Sequence, residues 1–551
     1  MDLQRLFLFL IFSASVFLLW DGWQRTQIQQ VPTSAVAAAP GQAAAPMPNA
    51  GPALSSAPTA QASAVETRQL QEQPGQTITV KTDWLVADIN TVGGDLRKLK
   101  FLRHFDAKDR NKPFVLLQQN ETHTYIAQSG LLGGGLPTHT ALFSAEALEY
   151  QLAEGKDTLE VRLQAVNAAA ARVTKVYIFH RSSYRVDVGY EVVNSGTAPL
   201  VAASYFQLVR DTAAPEGTSR FVPTYTGPAV YTDQEKFQKV DFTDIEKGKI
   251  KYPQHADSGW VGMLQHYFVA AWLPEGKVQR EFYTRKLDNN LYSAGVILTL
   301  PAVAPGQTAK ISVPLYAGPA QTTLDKMAPG LGLTVDYGWL TIIAAPLFWV
   351  LTFLEGWVHN WGVAIILLTV LIKLAFFPLS AASYRSMAKM RVVAPKLEKI
   401  KQQYGDDRER QHKAMMDLYK TEKINPLGGC LPMIIQIPVF ISLYWAILAS
   451  VELRYAPFFG WITDLSSADP YYILPLIMGA SMIIQTKLNP TPPDPIQAKV
   501  MQIMPIVFSV VFFFFPAGLV LYSIVNNTLS IAQQWLITRR LEAATKGAAK
   551  A

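Results

Sequence analysis

Lys373 is an ionised side chain inside an otherwise apolar run, 361-WGVAIILLTVLIKLAFFPL-379. A lysine near the centre of a bilayer costs about 2.5 to 3.5 kcal/mol on insertion scales, so its retention asks for a reason. It stands five residues, about 7.5 Å of helix, before Pro378, close enough for its stem to snorkel toward the interface. It has polar company, however. Thr369 lies one helical turn earlier on the same face, Gln436 falls in the next apolar run, and a later run carries Tyr522, Ser523, Asn526, Asn527, Thr528 and Ser530. Polar groups at membrane depth must face protein or a water-filled cavity. These residues predict a hydrated cavity with Lys373 as its charge, and hydrogen bonding between helices is the alternative for Gln436 and Asn526.

No phosphate-binding GxxxxGK[ST], zinc-binding HExxH or nucleophile-elbow GxSxG occurs, and there is no Cys/His cluster. The reading is therefore of a protein that is not an enzyme and needs no metal or cofactor. Cys430 is the only cysteine, which rules out an intrachain disulfide. The histidines at 104, 123, 139, 180, 255 and 266 are scattered without ligand spacing and suit structural or docking roles. The net charge of +7 does not point to nucleic acid, because 28 basic and 28 acidic residues cancel over 26–337. The surplus sits in 380–427, with 11 Lys+Arg against 6 Asp+Glu, and in the Arg539-Arg540 tail, as short basic segments beside spans do on the cytoplasmic side.

Those residues need a scaffold, and the chain supplies a polytopic α-helical membrane core with a large antiparallel β-sandwich. Residues 1–25, a basic start and a short apolar run followed by Trp20, Asp21 and Trp23, read as an uncleaved transmembrane anchor. Residues 26–69 form a flexible Ala/Pro-rich linker. From 70 to 325 short alternating runs broken by Gly, Pro and Asn predict the sandwich, placed in the periplasm. The Trp-rich stretch 335–360 is read as an interfacial amphipathic helix, with an additional span as the alternative.

Further spans are expected at 361–379, 428–450, 470–486, 501–515 and 518–537. The last two are separated by the turn chemistry of Phe515-Pro516-Ala517-Gly518. With the anchor this makes six, an anchor plus a five-helix core. Six spans put 380–427, the loop 487–500, the tail 538–551 and both termini in the cytoplasm, and leave 451–469 as a periplasmic loop. Within 380–427, the segments 384–404 and 407–423 have helical periodicity and join at Gly405-Asp406, predicting an antiparallel hairpin in which Pro395 kinks or restarts the first arm.

The MDxQR start and the segments 378-PLSAASYRSMAKMR-391, 424-INPLGGCLPMIIQIPVF-440, 468-ADPYYILPLIMG-479 and 515-FPAGLVLYSIVNN-527 resemble the YidC/Oxa/Albino family of membrane protein insertases. The resemblance implies an inner-membrane insertase and chaperone that spends no ATP, with a hydrophilic groove open to cytoplasm and lipid but closed to the periplasm. It implies nascent membrane proteins as substrates, a Sec translocon as partner, and ribosome contact through the basic hairpin and tail. Lys373 falls at the family's groove arginine, keeping the charge but not the planar fork. Tyr522 falls at a substrate-contacting tyrosine, and Ser523 where a second tyrosine is often found. The expected groove is Lys373, Thr369, Gln436, Tyr522, Ser523 and Asn526. Met433, Ile437, Phe508 and Phe512 are the candidate hydrophobic slide past which an apolar segment would move into lipid.

Overall fold

The computed structural model describes residues 75–548 apart from 107–108, 134, 167–170, 216–223, 406, 423–430 and 490–494. The expected anchor, the linker and Cys430 lie outside the described residues. The strands begin at Thr77 and end at Pro319, close to the expected 70–325. Their alternation is the cause of their layering: Leu85–Asn90 buries every second residue, as a strand with one face on a core must. A ten-stranded and a nine-stranded sheet pack face to face. The pairings are antiparallel except where Thr79–Lys81 runs parallel to Glu149–Gln151.

The helical part comprises α1 (Thr341–Val358), α2 (Trp361–Ala375), α3 (Phe377–Tyr404), α4 (Arg408–Thr421), α5 (Leu431–Ala449), α6 (Ile473–Leu488), α7 (Pro495–Phe512) and α8 (Ala517–Ala548). Helix α8 packs against α2, α3, α5 and α6, while α1 lies against α2 and α5. One buried apolar cluster runs from the sandwich through Leu331, Val335 and Tyr337 into α1 and the bundle, so the two parts share a core.

Several boundaries differ from those expected. The apolar run at 361–379 does not stay straight, because the chain turns by 67° between α2 and the start of α3. Helix α3 continues through Pro395 without restarting. Helix α8 carries on through most of the basic tail, to Ala548. Helices α3 and α4 turn at Gly405, whose φ of +49° suits glycine, and meet through Val393, Leu397 and Tyr419. The break at Phe513–Pro516 divides the last apolar block where its turn chemistry indicated.

Among the described helices, α1 alone is by itself long and apolar enough to cross a membrane, and the bent pair α2 plus the first part of α3 makes a second. Helix α1 exposes Ile342, Trp349, Phe353 and Trp357. The apolar parts of α5, α6 and α7 are each shorter than 18 residues.

Candidate functional site

Helix α8 carries a polar residue every fourth position: Tyr522, Asn526, Ser530 and Gln534. That spacing places them along one helical stripe. The stripe runs between neighbouring helices. Lys373 of α2 donates from Nζ to Ser530 Oγ at 2.7 Å, and Ser530 in turn donates to Asn526 O at 2.7 Å. Buried Tyr384, near the start of α3, adjoins the same Ser530 hydroxyl. On the other flank Asn527 donates to Ser481 Oγ of α6 at 3.1 Å. Gln534 Nε2 reaches Leu488 O and Asn489 Oδ1, both at 3.1 Å.

The seam is only partly satisfied. Among the described residues, Tyr522 Oη, Asn526 Oδ1, Gln534 Oε1 and Ser442 Oγ are buried without a hydrogen-bond partner. Such groups cost about 1 to 3 kcal/mol each when left unmade. Gln436 of α5 stands beside the Tyr522 hydroxyl without closing a bond of normal geometry. Lys373 has the Ser530 hydroxyl and, among the described residues, no acidic side chain acting on it. An ammonium so placed favours an anionic or strongly accepting group that enters the seam.

The expected groove residues divide. Lys373 meets Ser530, one turn along α8 from Asn526, and Gln436 stands beside Tyr522, one turn from Asn526 on the other side. Thr369 and Ser523 are buried, and their hydroxyls close on their own helices, to Ile365 O at 2.7 Å and Leu519 O at 2.9 Å. They line the helix contacts and offer no free donor. Of the slide residues, Ile437 is 50% exposed and Phe508 is 39% exposed, both on the outside. Phe512 is 7% exposed and packs against Phe440 and Phe515, which takes it off an outer surface. Met433 lies in the first turn of α5. Gln534 and Tyr384 were missed by sequence reasoning. The four-residue period would have found Gln534, whereas Tyr384 joins only because α3 folds back beside α8.

The sandwich histidines have structural partners. His123 and His180 pair with Asp211 and Asp187, His139 meets Tyr205, and His266 Nε2 bonds Leu448 O at 2.8 Å, joining the sandwich to α5. Arg454 lies over Phe114, Tyr267 and Phe268 at the same joint, and Tyr455 donates to Asp106 O. No group of three metal-ligating side chains occurs among the described residues.

Residues 77–350 match the family described as YidC periplasmic domain, and residues 353–544 match the 60Kd inner membrane protein family. A membrane protein insertase YidC from Nitrosospira multiformis is 54% identical, covering 100% of this chain and 99% of its own length. One from Aromatoleum aromaticum is 53% identical, with both chains fully covered. A solved YidC insertase structure, with its first transmembrane domain resolved, covers 84% of this chain and 92% of its own at 19% identity and a TM-score of 0.38. On the full-length identity to these relatives and the two family matches, the chain belongs to the YidC family of membrane protein insertases.

Proposed function

We propose that this chain inserts and helps fold inner-membrane proteins, and that the seam along α8 receives the polar segment of a substrate while its apolar segment passes outside the bundle into lipid. The observation that carries the reading is Lys373 held by one hydroxyl beside the partnerless Tyr522, Asn526 and Gln534 atoms. Burying an apolar segment is downhill by about 0.3 to 0.6 kcal/mol per Leu, Ile, Phe or Val at the helix centre. The barrier is the polar flank, and unmet donors and acceptors along α8 replace part of the water that flank gives up. Lys373 attracts acidic flanks most strongly where water is scarce.

The short helices α5, α6 and α7 span with local thinning of the bilayer, which shortens the polar crossing further. In this reading the termini and the α3–α4 hairpin are cytoplasmic and the sandwich periplasmic. The basic surface of the hairpin and tail suits a ribosome, and a Sec translocon is a second partner. Ile437 and Phe508 mark the outer path. The test is photocrosslinking of stalled nascent chains from probes at Tyr522 and Gln436. Capture of substrate at both is expected, and absence of capture at either removes the seam from the mechanism.

A further inference from the structure

Residues 451–472 link α5 to α6 and knit together one end of the bundle. Asn360 caps α2 by accepting from Val363 N at 3.0 Å and donates to Phe458 O at 3.1 Å. Gly362 leaves room for the Phe458 ring, which a Cβ there would meet at 2.1 Å. Ala517 and Gly518, which open α8, donate their N–H groups to Ser467 O at 2.7 Å and Leu465 O at 2.9 Å, and Ala468 bridges Pro516. Leu465 and Ile462 are buried beneath. One segment thus closes over the starts of α2 and α8 together.

Asp469 fixes that segment to the third helix. It is 1% exposed, and its carboxylate accepts from Tyr471 N at 3.0 Å, Leu474 N at 2.7 Å and Trp461 Nε1 at 3.0 Å. Leu474 is the second residue of α6, where the helix dipole favours an anion, and Tyr471 lies two residues before the helix. The indole comes from eight residues earlier, immediately after the turn at Gly460. No basic side chain forms an ion pair with Asp469 among the described residues, so N–H groups alone hold the charge. Tyr522 lies five residues, about 7.5 Å, inward from the start of α8, and Lys373 twelve residues, about 18 Å, inward from the start of α2. The clasp therefore sits beyond the Tyr522 end of the seam, on the sandwich side.

We propose that Asp469 is a positioning residue for insertion: by tying Trp461 to the start of α6 it keeps 451–472 folded across the periplasmic end of the seam, so that the seam opens to one side only. This rests on the polar-seam reading above. The experiment uses the full-length chain with Cys430→Ser and an Asn526→Cys reporter on the polar stripe, in right-side-out and inside-out vesicles treated with a membrane-impermeant maleimide. Asp469→Ala is expected to raise labelling from the periplasmic side on the order of tenfold, as loss of a carboxylate that accepts from three N–H groups frees the segment, and to leave labelling from the cytoplasmic side unchanged. Trp461→Phe keeps a ring but removes one donor, and gives a smaller rise of the same one-sided kind. Unchanged periplasmic labelling in a variant as trypsin-resistant as the parent overturns the assignment, as does an equal rise on both sides, which marks general loosening. Should Asp469→Ala fail to accumulate, Trp461→Phe decides alone. A parent reporter unlabelled from the cytoplasmic side refutes the seam itself, whatever Asp469 does.

Discussion

Two lysines, Lys175 in the sandwich and Lys373 in the helical core, are both drawn out of bulk water, and their surroundings differ. Lys175 is wholly buried between the sheets, donating to Gly93 O at 2.9 Å and Ser129 O at 3.3 Å, with Asp95 at 3.8 Å. Asp95 accepts from Gln128, Gln128 from Gln207, and Gln207 from Tyr283, so a chain of hydrogen bonds crosses the ten-stranded sheet. Burial pulls the Lys175 ammonium down to about 8 and pushes the Asp95 carboxyl up. Lys373 has one hydroxyl, and its neighbours along α8 keep buried atoms without partners. In the sandwich network the buried atom without a hydrogen bond, Asp95 Oδ1, lies against the opposite charge of Lys175. In the helical core Lys373 has no such counter-charge among the described residues, and the orphaned atoms along α8 belong to neutral side chains.

The comparison breaks first if Lys175 proves dispensable. Lys175→Met leaves Asp95 buried and unpaired and is expected to cost about 3 to 5 kcal/mol of stability, read by denaturant unfolding of the sandwich. A smaller loss follows from pH. His104 sits at the joint near Arg454 and Arg103, and burial first, then those two charges, pushes its imidazole down to about 4. His266 in the same joint is lowered too, again chiefly by burial. The folded protein therefore holds these rings neutral while the unfolded chain protonates near the ordinary value of 6.5. The stability they contribute is complete above about 6.5 and declines as pH falls toward about 4. Melting temperature measured between pH 7 and pH 4.5 should show this decline, and His104→Phe should reduce it.

Lys373→Met sharpens the other side of the comparison. Its effect on stability is expected to stay below about 1 kcal/mol, because no paired acid is stranded. Insertion of acidic-tailed substrates into proteoliposomes should fall about tenfold, equivalent to about 1.4 kcal/mol, with Lys373→Arg restoring it. The smallest change in stability belongs to Asn526→Leu, within about 0.5 kcal/mol of the parent or slightly stabilising, since an orphaned amide oxygen disappears. Insertion should nonetheless weaken. A loss of stability as large as that of Lys175→Met would mean that the seam is built like the sandwich network.

Much of this was legible in residue order. Strand alternation located the sandwich, helical periodicity and Gly405 located the hairpin, and Pro516 with Gly518 located the break before α8, because each signal acts over a few residues of backbone. Lys373 and Asn526 stood out because ionised and amide side chains are rare in apolar runs, and Tyr522 through the polar series it opens and the family resemblance. Thr369 was grouped with them on polarity and helical spacing and Ser523 on polarity and the family resemblance, and the structure shows why these were insufficient: a Ser or Thr hydroxyl can close on the carbonyl four residues back and offer nothing outward. Phe512 has the same hydrophobicity as Phe508, but only packing against Phe440 and Phe515 tells inside from outside.

The sequence by itself determined the elements, the charge asymmetry and the presence of polar residues in apolar helices, all consequences of local backbone preference and of transfer from water to hydrocarbon. The tertiary structure decided which of those polar residues share a seam. Lys373 and Ser530 are 157 positions apart and meet only because α2 and α8 pack together. It also decided that 451–472 meets the starts of α2 and α8 while the Asp469 carboxylate ties it to α6, since contacts across such separations depend on how the chain returns on itself and leave no trace in spacing.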